Sequence, residues 1–285
     1  MTVLGPFTAT RDGRPAALGG RRQRLVLAAL LLARGRMLCA DRLQELAWSD
    51  AGHVASRATL HGYVAQLRRA LEPGHPHRAG ELLVREGPGY ALRLPAGALD
   101  ADRFTDGVER GRLLLELGHT AEALSTLDGS LAMWRGPAYT GIDAAPFVLP
   151  ETTRLDGLHA TAVELRLAAM LDLGRLPAAL SELEAVVIEQ PLRERGWELL
   201  ALARYRAGRQ GDALAALRGA RTRLAAELGV DPGPALRRME TAILGQEDSL
   251  QATTWPGLRT RPRRSGGIAA VTRLRTAAPM ESISA

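Results

Sequence analysis

Three copies of one short pattern constrain the fold of this chain more than any other feature of its sequence. In each copy a glycine precedes an Ala-Leu pair by five residues, and the glycines are Gly118, Gly174 and Gly208. The second and third lie 34 residues apart, which is the period of solenoids built from pairs of helices. Between positions 102 and 247 the sequence has helical periods and none of the alternation typical of strands. These residues are therefore predicted to form antiparallel helix pairs that bury their apolar faces by stacking on one another.

The first interval of the pattern, 56 residues from Gly118 to Gly174, does not fit that period. An insertion at 136–150 accounts for part of the excess. The pattern predicts an all-α, tetratricopeptide-like domain at 98–247. A helical bundle that binds no partner is the alternative, because stacking of the pairs is a structural requirement before it is a binding surface.

The first 97 residues follow a different order of elements. Two short extended pieces within 2–18 flank the turn signal Asp12-Gly13. Apolar residues at positions 60, 64, 67 and 71 give one helix a core stripe, and Asp41 is a candidate N-cap for the helix before it. Helices are predicted at 21–34, 41–48 and 55–71, followed by strands at 82–85 and 90–94. This order predicts an α+β domain at 1–97. Because the longer domain at 98–247 is all-α, the whole chain is expected to be mainly α.

Charge is distributed unevenly along the chain. All 37 basic residues are arginine; 14 of them lie at 1–99 against 7 acidic residues, whereas 100–247 holds 17 against 22. A basic module joined to an acidic one indicates that the first binds a polyanion and the second binds something else. Charge alone is also compatible with an ordinary solvated surface, so the positions of the arginines decide between the two interpretations.

The polar residues of the third predicted helix are of types that hydrogen-bond to base edges and phosphates. A helix of this kind beside an arginine-tipped hairpin fits a major-groove reader with an adjacent wing that contacts the DNA backbone. Arg68, near the end of the helix, is expected to face phosphates, and His61 and Gln66 are expected to read bases. The candidate DNA contacts are Arg21, Arg22, Arg24, Arg57, Thr59, His61, Gln66, Arg68, Arg69, Arg85 and Tyr90.

Five strings occur in order in this first domain: VLGPF at 3–7, GGRRQRLVLAALLL at 19–32, DRLQELAW at 41–48, SRATLHGYVAQLRRAL at 56–71 and GPGY at 87–90. Together they resemble the OmpR-type winged-helix domain of the Streptomyces antibiotic regulatory protein family. The resemblance implies that 55–71 is the recognition helix and 82–94 the wing. It also implies that the loop at 48–54 faces RNA polymerase, with Trp48, Asp50 and His53 as candidate contacts. Members commonly carry Arg at the position of Gln66 and a β-branched residue at that of Gly62, so a different target or weaker binding is expected here.

Three further strings occur in order in the second domain: LAMWRGPAYTGI at 131–142, PLRERGWELLALARYRAGRQGDALAALR at 191–218 and LAAELGVDPGPALRRMETAIL at 224–244. They resemble the bacterial transcriptional activation domain of the same family, which implies self-association and contacts to the transcription machinery. The implied function is a pathway-specific activator of a secondary-metabolite (antibiotic) gene cluster, which binds direct repeats near promoters and recruits RNA polymerase. The alternative is a solenoid adaptor between proteins with a vestigial winged helix, and the basic excess at 1–99 favours the activator.

Other classes of function are not indicated by the sequence. The longest apolar run, at 25–33, is shorter than the roughly 20 residues that a membrane span needs, and the single Cys39 cannot form an intramolecular disulfide. A cytoplasmic, nucleoid-associated protein without membrane contact is expected. No metal-ligand spacing and no nucleophile or phosphate-loop motif is present, so neither an enzyme nor a cofactor is predicted. Residues 248–285, which contain six arginines, are predicted to be a disordered basic tail.

Overall fold

The structure, a computed structural model, describes residues 1–49, 56–73 and 81–251. It confirms the predicted fold class, a small winged helix followed by a series of paired helices. The helices are α1 (Arg21–Leu32), α2 (Ala40–Ala47), α3 (Arg57–Leu71), α4 (Asp100–Glu116), α5 (Thr120–Leu131), α6 (Leu149–Asp172), α7 (Leu176–Glu189), α8 (Glu194–Arg206), α9 (Gln210–Leu228) and α10 (Pro234–Leu244). The strands are β1 (Thr10–Arg11), β2 (Arg14–Pro15), β3 (Leu38–Cys39), β4 (Leu83–Glu86) and β5 (Gly89–Leu92).

The wing is the predicted antiparallel hairpin. Strands β4 and β5 pair from Leu83 opposite Leu92 to Glu86 opposite Gly89, and β3 joins them to give the sheet order β3-β5-β4. A Cβ atom at Gly89 would lie 2.0 Å from the carbonyl oxygen of Leu38. The close pairing of β3 with β5 therefore requires glycine at this position.

The three helices of the winged helix follow the apolar pattern of the sequence. Every residue from Leu25 to Leu31 of α1 is buried, and so are all four predicted core positions of α3. Helix α3 is capped by Ser56, whose Oγ accepts a 3.2 Å hydrogen bond from the Thr59 backbone N–H. The prediction that Asp41 caps α2 is wrong, because the N-cap is Cys39 and Asp41 lies in the first turn.

The glycine pattern marks the turns between consecutive helices. Gly118, Gly174 and Gly208 have φ angles of +83°, +71° and +75°, and in each case the next helix begins two residues later. Helices commonly end at such a left-handed residue, which glycine adopts without a steric penalty. The alanine five residues after each glycine is fully buried. The pattern therefore combines a turn with a close contact between neighbouring helices.

Of the two extended pieces predicted within 2–18, the structure forms strands only beside the turn at Asp12-Gly13. Only β1 and β2 pair as a hairpin, whereas Thr2 and Thr8 exchange backbone hydrogen bonds of 2.9 and 3.1 Å that close the intervening residues into a loop. This loop packs against residues 135–142. As a result, one apolar cluster runs from Phe7 in this loop to Phe104 in α4, Leu127 in α5 and Leu155 in α6.

The disordered tail is predicted to begin at residue 248, but ordered structure continues to Leu250. Asp248–Leu250 form a 3₁₀ turn, Leu250 is buried, and its carbonyl oxygen accepts a 2.9 Å hydrogen bond from Nε of Arg206. The rest of the predicted tail, 252–285, lies outside the described residues. Within the described ranges, no helix is both long and apolar enough to cross a bilayer.

Candidate nucleic-acid interface

The outward face of α3 is a narrow polar surface around a row of small residues. Its core stripe faces α1 and α2, so the opposite side of the helix is directed outward. The middle of that side is formed by Ala58, Gly62 and Ala65, and no atom lies within 4 Å of a Cβ placed on Gly62. The exposed polar residues that flank this row are Arg57, His61, Gln66 and Arg69.

Contacts within the winged helix support the side chains of His61 and Gln66, the two residues predicted to read bases. The exposed ring of His61 packs edge to face on Tyr90, with ring centroids 6.2 Å apart. The side-chain oxygen of Gln66 accepts a hydrogen bond from Nε2 of Gln23, whose own oxygen accepts the Gly20 N–H at 2.5 Å. Gln66 is therefore tied to the start of α1, and Gln23 is a supporting residue that the sequence analysis missed.

Arg68 connects α3 to the wing, a position that differs from the predicted one at phosphates. Its Nε donates a 2.8 Å hydrogen bond to the carbonyl oxygen of Leu83, and its guanidinium lies over the ring of Tyr90 at 5.8 Å. Its Nη2 atom is buried and has no hydrogen-bond partner among the described residues. The side chain is thus directed into the angle between α3 and β4, away from the outward face.

Tyr90 also lies behind the surface. Only 5% of the residue is exposed, so the predicted direct contact to DNA is corrected to a supporting role beneath His61 and Arg68. The alternation of residues in β5 does not reveal this, because all four residues of the strand are buried.

Two more of the predicted arginines have intramolecular partners. Nη1 of Arg22 donates a 2.5 Å hydrogen bond to the carbonyl oxygen of Ala47 and so caps the end of α2. Arg57 forms a 2.8 Å ion pair with Asp41, and both side chains remain about two-thirds exposed. This pair costs little to open, because exposed ion pairs contribute about 0.2–1 kcal/mol.

The remaining predicted residues are distributed around the outward face. Thr59 is part of the cap of α3, with its hydroxyl 3.0 Å from that of Ser56, and Arg24 donates to the carbonyl oxygen of Gly19 at 3.3 Å. Arg21 is exposed at the start of α1. Arg69 at the end of α3 and Arg85 on the wing are exposed, and neither has a hydrogen bond or ion pair within the described parts of the chain. Among the predicted contacts, the side chains of these two arginines are therefore available to an external anion.

Trp48 is a core residue, which corrects its prediction as a polymerase contact. It is 7% exposed and stacks on Tyr63 with the rings 4° from parallel and their centroids 5.6 Å apart. The other two predicted contacts, Asp50 and His53, lie outside the described residues.

The described residues contain no group of three histidine, cysteine or acidic side chains that could hold a metal ion. A cavity of about 350 Å³ lies between the end of α1 and the start of α4. Its charged lining is already paired, since Arg34 binds Asp102 at 2.6 Å and Arg93 binds Glu86 at 2.5 Å.

The fold and the chemistry of this surface define a class, the winged-helix transcription regulators that carry a helical activation domain. A family model described as the bacterial transcriptional activator domain matches residues 99–244, slightly more than half of the chain. The chain belongs to the Streptomyces antibiotic regulatory protein family of transcriptional regulators.

Relatives with known roles agree with this assignment. The regulatory protein AfsR of Streptomyces coelicolor is 39% identical over 87% of this chain, and the transcriptional regulator RedD of the same organism is 36% identical over 88%. The structure of Mycobacterium tuberculosis EmbR in complex with a low-affinity phosphopeptide superimposes with a TM-score of 0.79 at 36% identity over 86% of the chain. All three relatives are regulatory proteins. The chain spans 24% of AfsR, 72% of RedD and 64% of the EmbR chain.

Proposed function

We propose that this protein is a sequence-specific DNA-binding activator that recognises direct repeats near the promoters of a secondary-metabolite gene cluster and recruits RNA polymerase. The proposal depends mainly on one observation: α3 presents hydrogen-bonding side chains around a smooth centre, and the arginines at its end and on the wing have no partner among the described residues. A smooth centre allows the helix backbone to approach the base edges closely.

The residues of the surface divide into two roles. His61 and Gln66, each held from behind, read base edges, because a fixed side chain discriminates better than a mobile one. Arg69, Arg85 and Arg21 contact phosphates, which fixes the position of the helix in the groove but carries no sequence information. Arg57 joins them when its ion pair with Asp41 opens.

The helical domain supplies association and recruitment. A single winged helix buries only about 600–1,000 Å² on DNA, so two copies on adjacent repeats are needed for the affinity of a typical promoter regulator. We assign self-association and contact with RNA polymerase to 98–247, and we place the division between the two domains after residue 97. Action at promoters places the protein on the nucleoid.

Enrichment of a random duplex library by the full chain tests this proposal. We expect a tandem repeat to be enriched, with binding that weakens steeply as salt rises because phosphate contacts release counterions. Equal retention of all sequences, with little dependence on salt, would contradict it. That outcome would favour the adaptor alternative, which draws support from the internal partners of Arg22, Arg57 and Arg68.

A further inference from the structure

The amino-terminal segment of the winged helix is built into the helical domain. The carbonyl oxygens of Val3, Leu4 and Gly5 accept hydrogen bonds of 2.7, 2.8 and 3.1 Å from three backbone N–H groups within 135–140. These are backbone contacts between segments separated by about 130 positions along the chain. They form a joint between the two domains, which we define as residues 1–9, 100 and 135–142.

The carboxylate of Asp100, at the start of α4, lies at the centre of this joint. Oδ1 accepts the Val3 N–H at 2.7 Å, and Oδ2 accepts the Leu4 N–H at 3.2 Å and Nη2 of Arg135 at 2.8 Å. The residue is only 2% exposed. A buried carboxylate is stable only while its hydrogen bonds and its charge partner are in place, so rotation of one domain against the other carries a large desolvation penalty.

A second connection between the two domains lies just after the carboxyl-terminal end of α1. The guanidinium of Arg34 binds Asp102 at 2.6 Å and Glu151 at 3.2 Å, and so links the winged helix to both α4 and α6. About half of the Arg34 side chain is exposed, so solvent screens this pair and it contributes less than Asp100 does.

Close packing fills the space around these polar contacts. The rings of Phe7 and Tyr139 lie 5.9 Å apart and both are buried. Gly5 has a φ of +133°, and a Cβ there would lie 3.1 Å from Cβ of Arg135. A hinge motion would expose this apolar surface to water, and the free-energy cost rises with the apolar area exposed.

We propose that Asp100 is a positioning residue that holds the winged helix at one orientation on the helical domain, so that two associated chains bind repeats of one spacing only. This inference rests on the proposed function, because it assumes DNA binding and association through the helical domains. A flexible tether would provide avidity over a range of spacings, whereas a rigid joint restricts binding to the spacing that fits both readers.

A distance measurement on the full chain tests the joint without DNA. Spin labels are placed at Arg42→Cys in α2 and Arg218→Cys in α9, both exposed and remote from the joint, in a Cys39→Ser background. We expect a single narrow distance for the parent and for the control Asp106→Ala, which changes an exposed carboxylate of the same helix. Asp100→Asn and Arg135→Ala should broaden it. Narrow distributions in both variants would overturn the proposal, and Arg135→Ala keeps the test valid if Asp100→Asn does not fold.

A second measurement uses duplexes in which the spacer between two repeats is lengthened in single base-pair steps over one helical turn. The parent should show one preferred spacing and lose at least tenfold in affinity half a turn away. Both variants should flatten this profile while binding to a single repeat stays within about twofold of the parent. A parent profile that is flat, or variants that keep the parent's profile, would contradict the inference. If the parent fails to distinguish a single repeat from random DNA, the proposed function fails instead, and the label distances still decide whether the joint is rigid.

Discussion

Arg68 occupies the angle between α3 and the wing, and its one hydrogen bond within the described ranges goes to the carbonyl oxygen of Leu83. Removal of this side chain should loosen the wing and destabilise the fold by about 1 kcal/mol, the usual net value of one hydrogen bond. Because Arg68 is not placed at a phosphate, Arg68→Ala should weaken DNA binding without changing the dependence on salt.

Arg85 provides the matched comparison on the wing. It is exposed and has no partner within the described ranges, so Arg85→Ala should lower the slope of log affinity against log salt by about 1, the value for one lost phosphate contact. Titrations of both variants at four or more salt concentrations provide the slopes. A reduced slope for Arg68→Ala with an unchanged slope for Arg85→Ala would show that the two assignments are reversed.

His159 of α6 makes a pH-dependent contribution to stability. Its ring packs against Trp134 with centroids 4.5 Å apart, and burial lowers its pKa, while the charge of Asp156 opposes this shift. The unfolded chain therefore binds a proton at this residue more readily than the folded protein does. Stability should fall as the pH drops below about 6.5, the ordinary pKa of histidine.

Urea unfolding at pH 7.5 and pH 5.5 tests this expectation. The loss of unfolding free energy between the two pH values should be smaller in His159→Gln than in the parent. The control is His119→Gln, since that side chain is more than half exposed. The assignment is wrong if the loss is the same in the parent and in His159→Gln.

At the scale of elements, two glycines in the first domain should respond to alanine in opposite directions. Gly5 combines a positive φ with a close contact to Arg135, so Gly5→Ala should destabilise the protein by about 1–3 kcal/mol. Gly62 lies within α3 with open space around it, so Gly62→Ala should stabilise the protein by about 1 kcal/mol. Thermal unfolding of the two variants beside the parent measures both changes. Destabilisation by Gly62→Ala would contradict the placement of this residue on an open helix face.

The elements that the sequence predicts well are those whose signals are local. The apolar stripe of α3, the buried run of α1 and the glycine turns of the helical domain are all readable within about 20 residues. The sequence does not predict the loop at 2–8, because the backbone partners that hold Val3, Leu4 and Gly5 lie about 130 residues away. The turn at Asp248–Leu250 was missed for a similar reason, since Arg206 of α8 holds it in place.

The candidate site was predicted in outline but not in the direction of each side chain. Periodicity identifies the outward face of α3, because positions 58, 62, 65 and 69 lie opposite the core stripe. It does not reveal that Tyr90 lies beneath this face or that Gln23 supports Gln66, since both contacts join separate elements. The burial of Trp48 likewise depends on its stacking with Tyr63, which no local pattern indicates.

At the scale of the whole molecule, the apolar core is shared between the two domains. Val3, Leu4 and Phe7 are fully buried in a cluster that includes residues of α4, α5 and α6. A fragment of residues 1–99 should therefore unfold at a temperature about 15 °C or more below that of 1–251. It loses contacts that contribute several kcal/mol, and each kcal/mol lowers the melting temperature of a domain of this size by about 4–8 °C. Circular dichroism melts of the two fragments measure the difference. Equal melting temperatures would show that the winged helix is stable without the helical domain.

The proposed function requires that α3 reads base sequence through the side chains on its outward face. The most direct measurement is a base-by-base selection profile of the full chain, compared with profiles of His61→Ala, Gln66→Ala and the phosphate-contact variant Arg85→Ala. We predict that each of the first two relaxes discrimination at one or two base pairs, by about 1–3 kcal/mol per contact. Arg85→Ala should weaken binding to all sequences alike. Profiles of His61→Ala and Gln66→Ala that match the parent at every position would contradict this account.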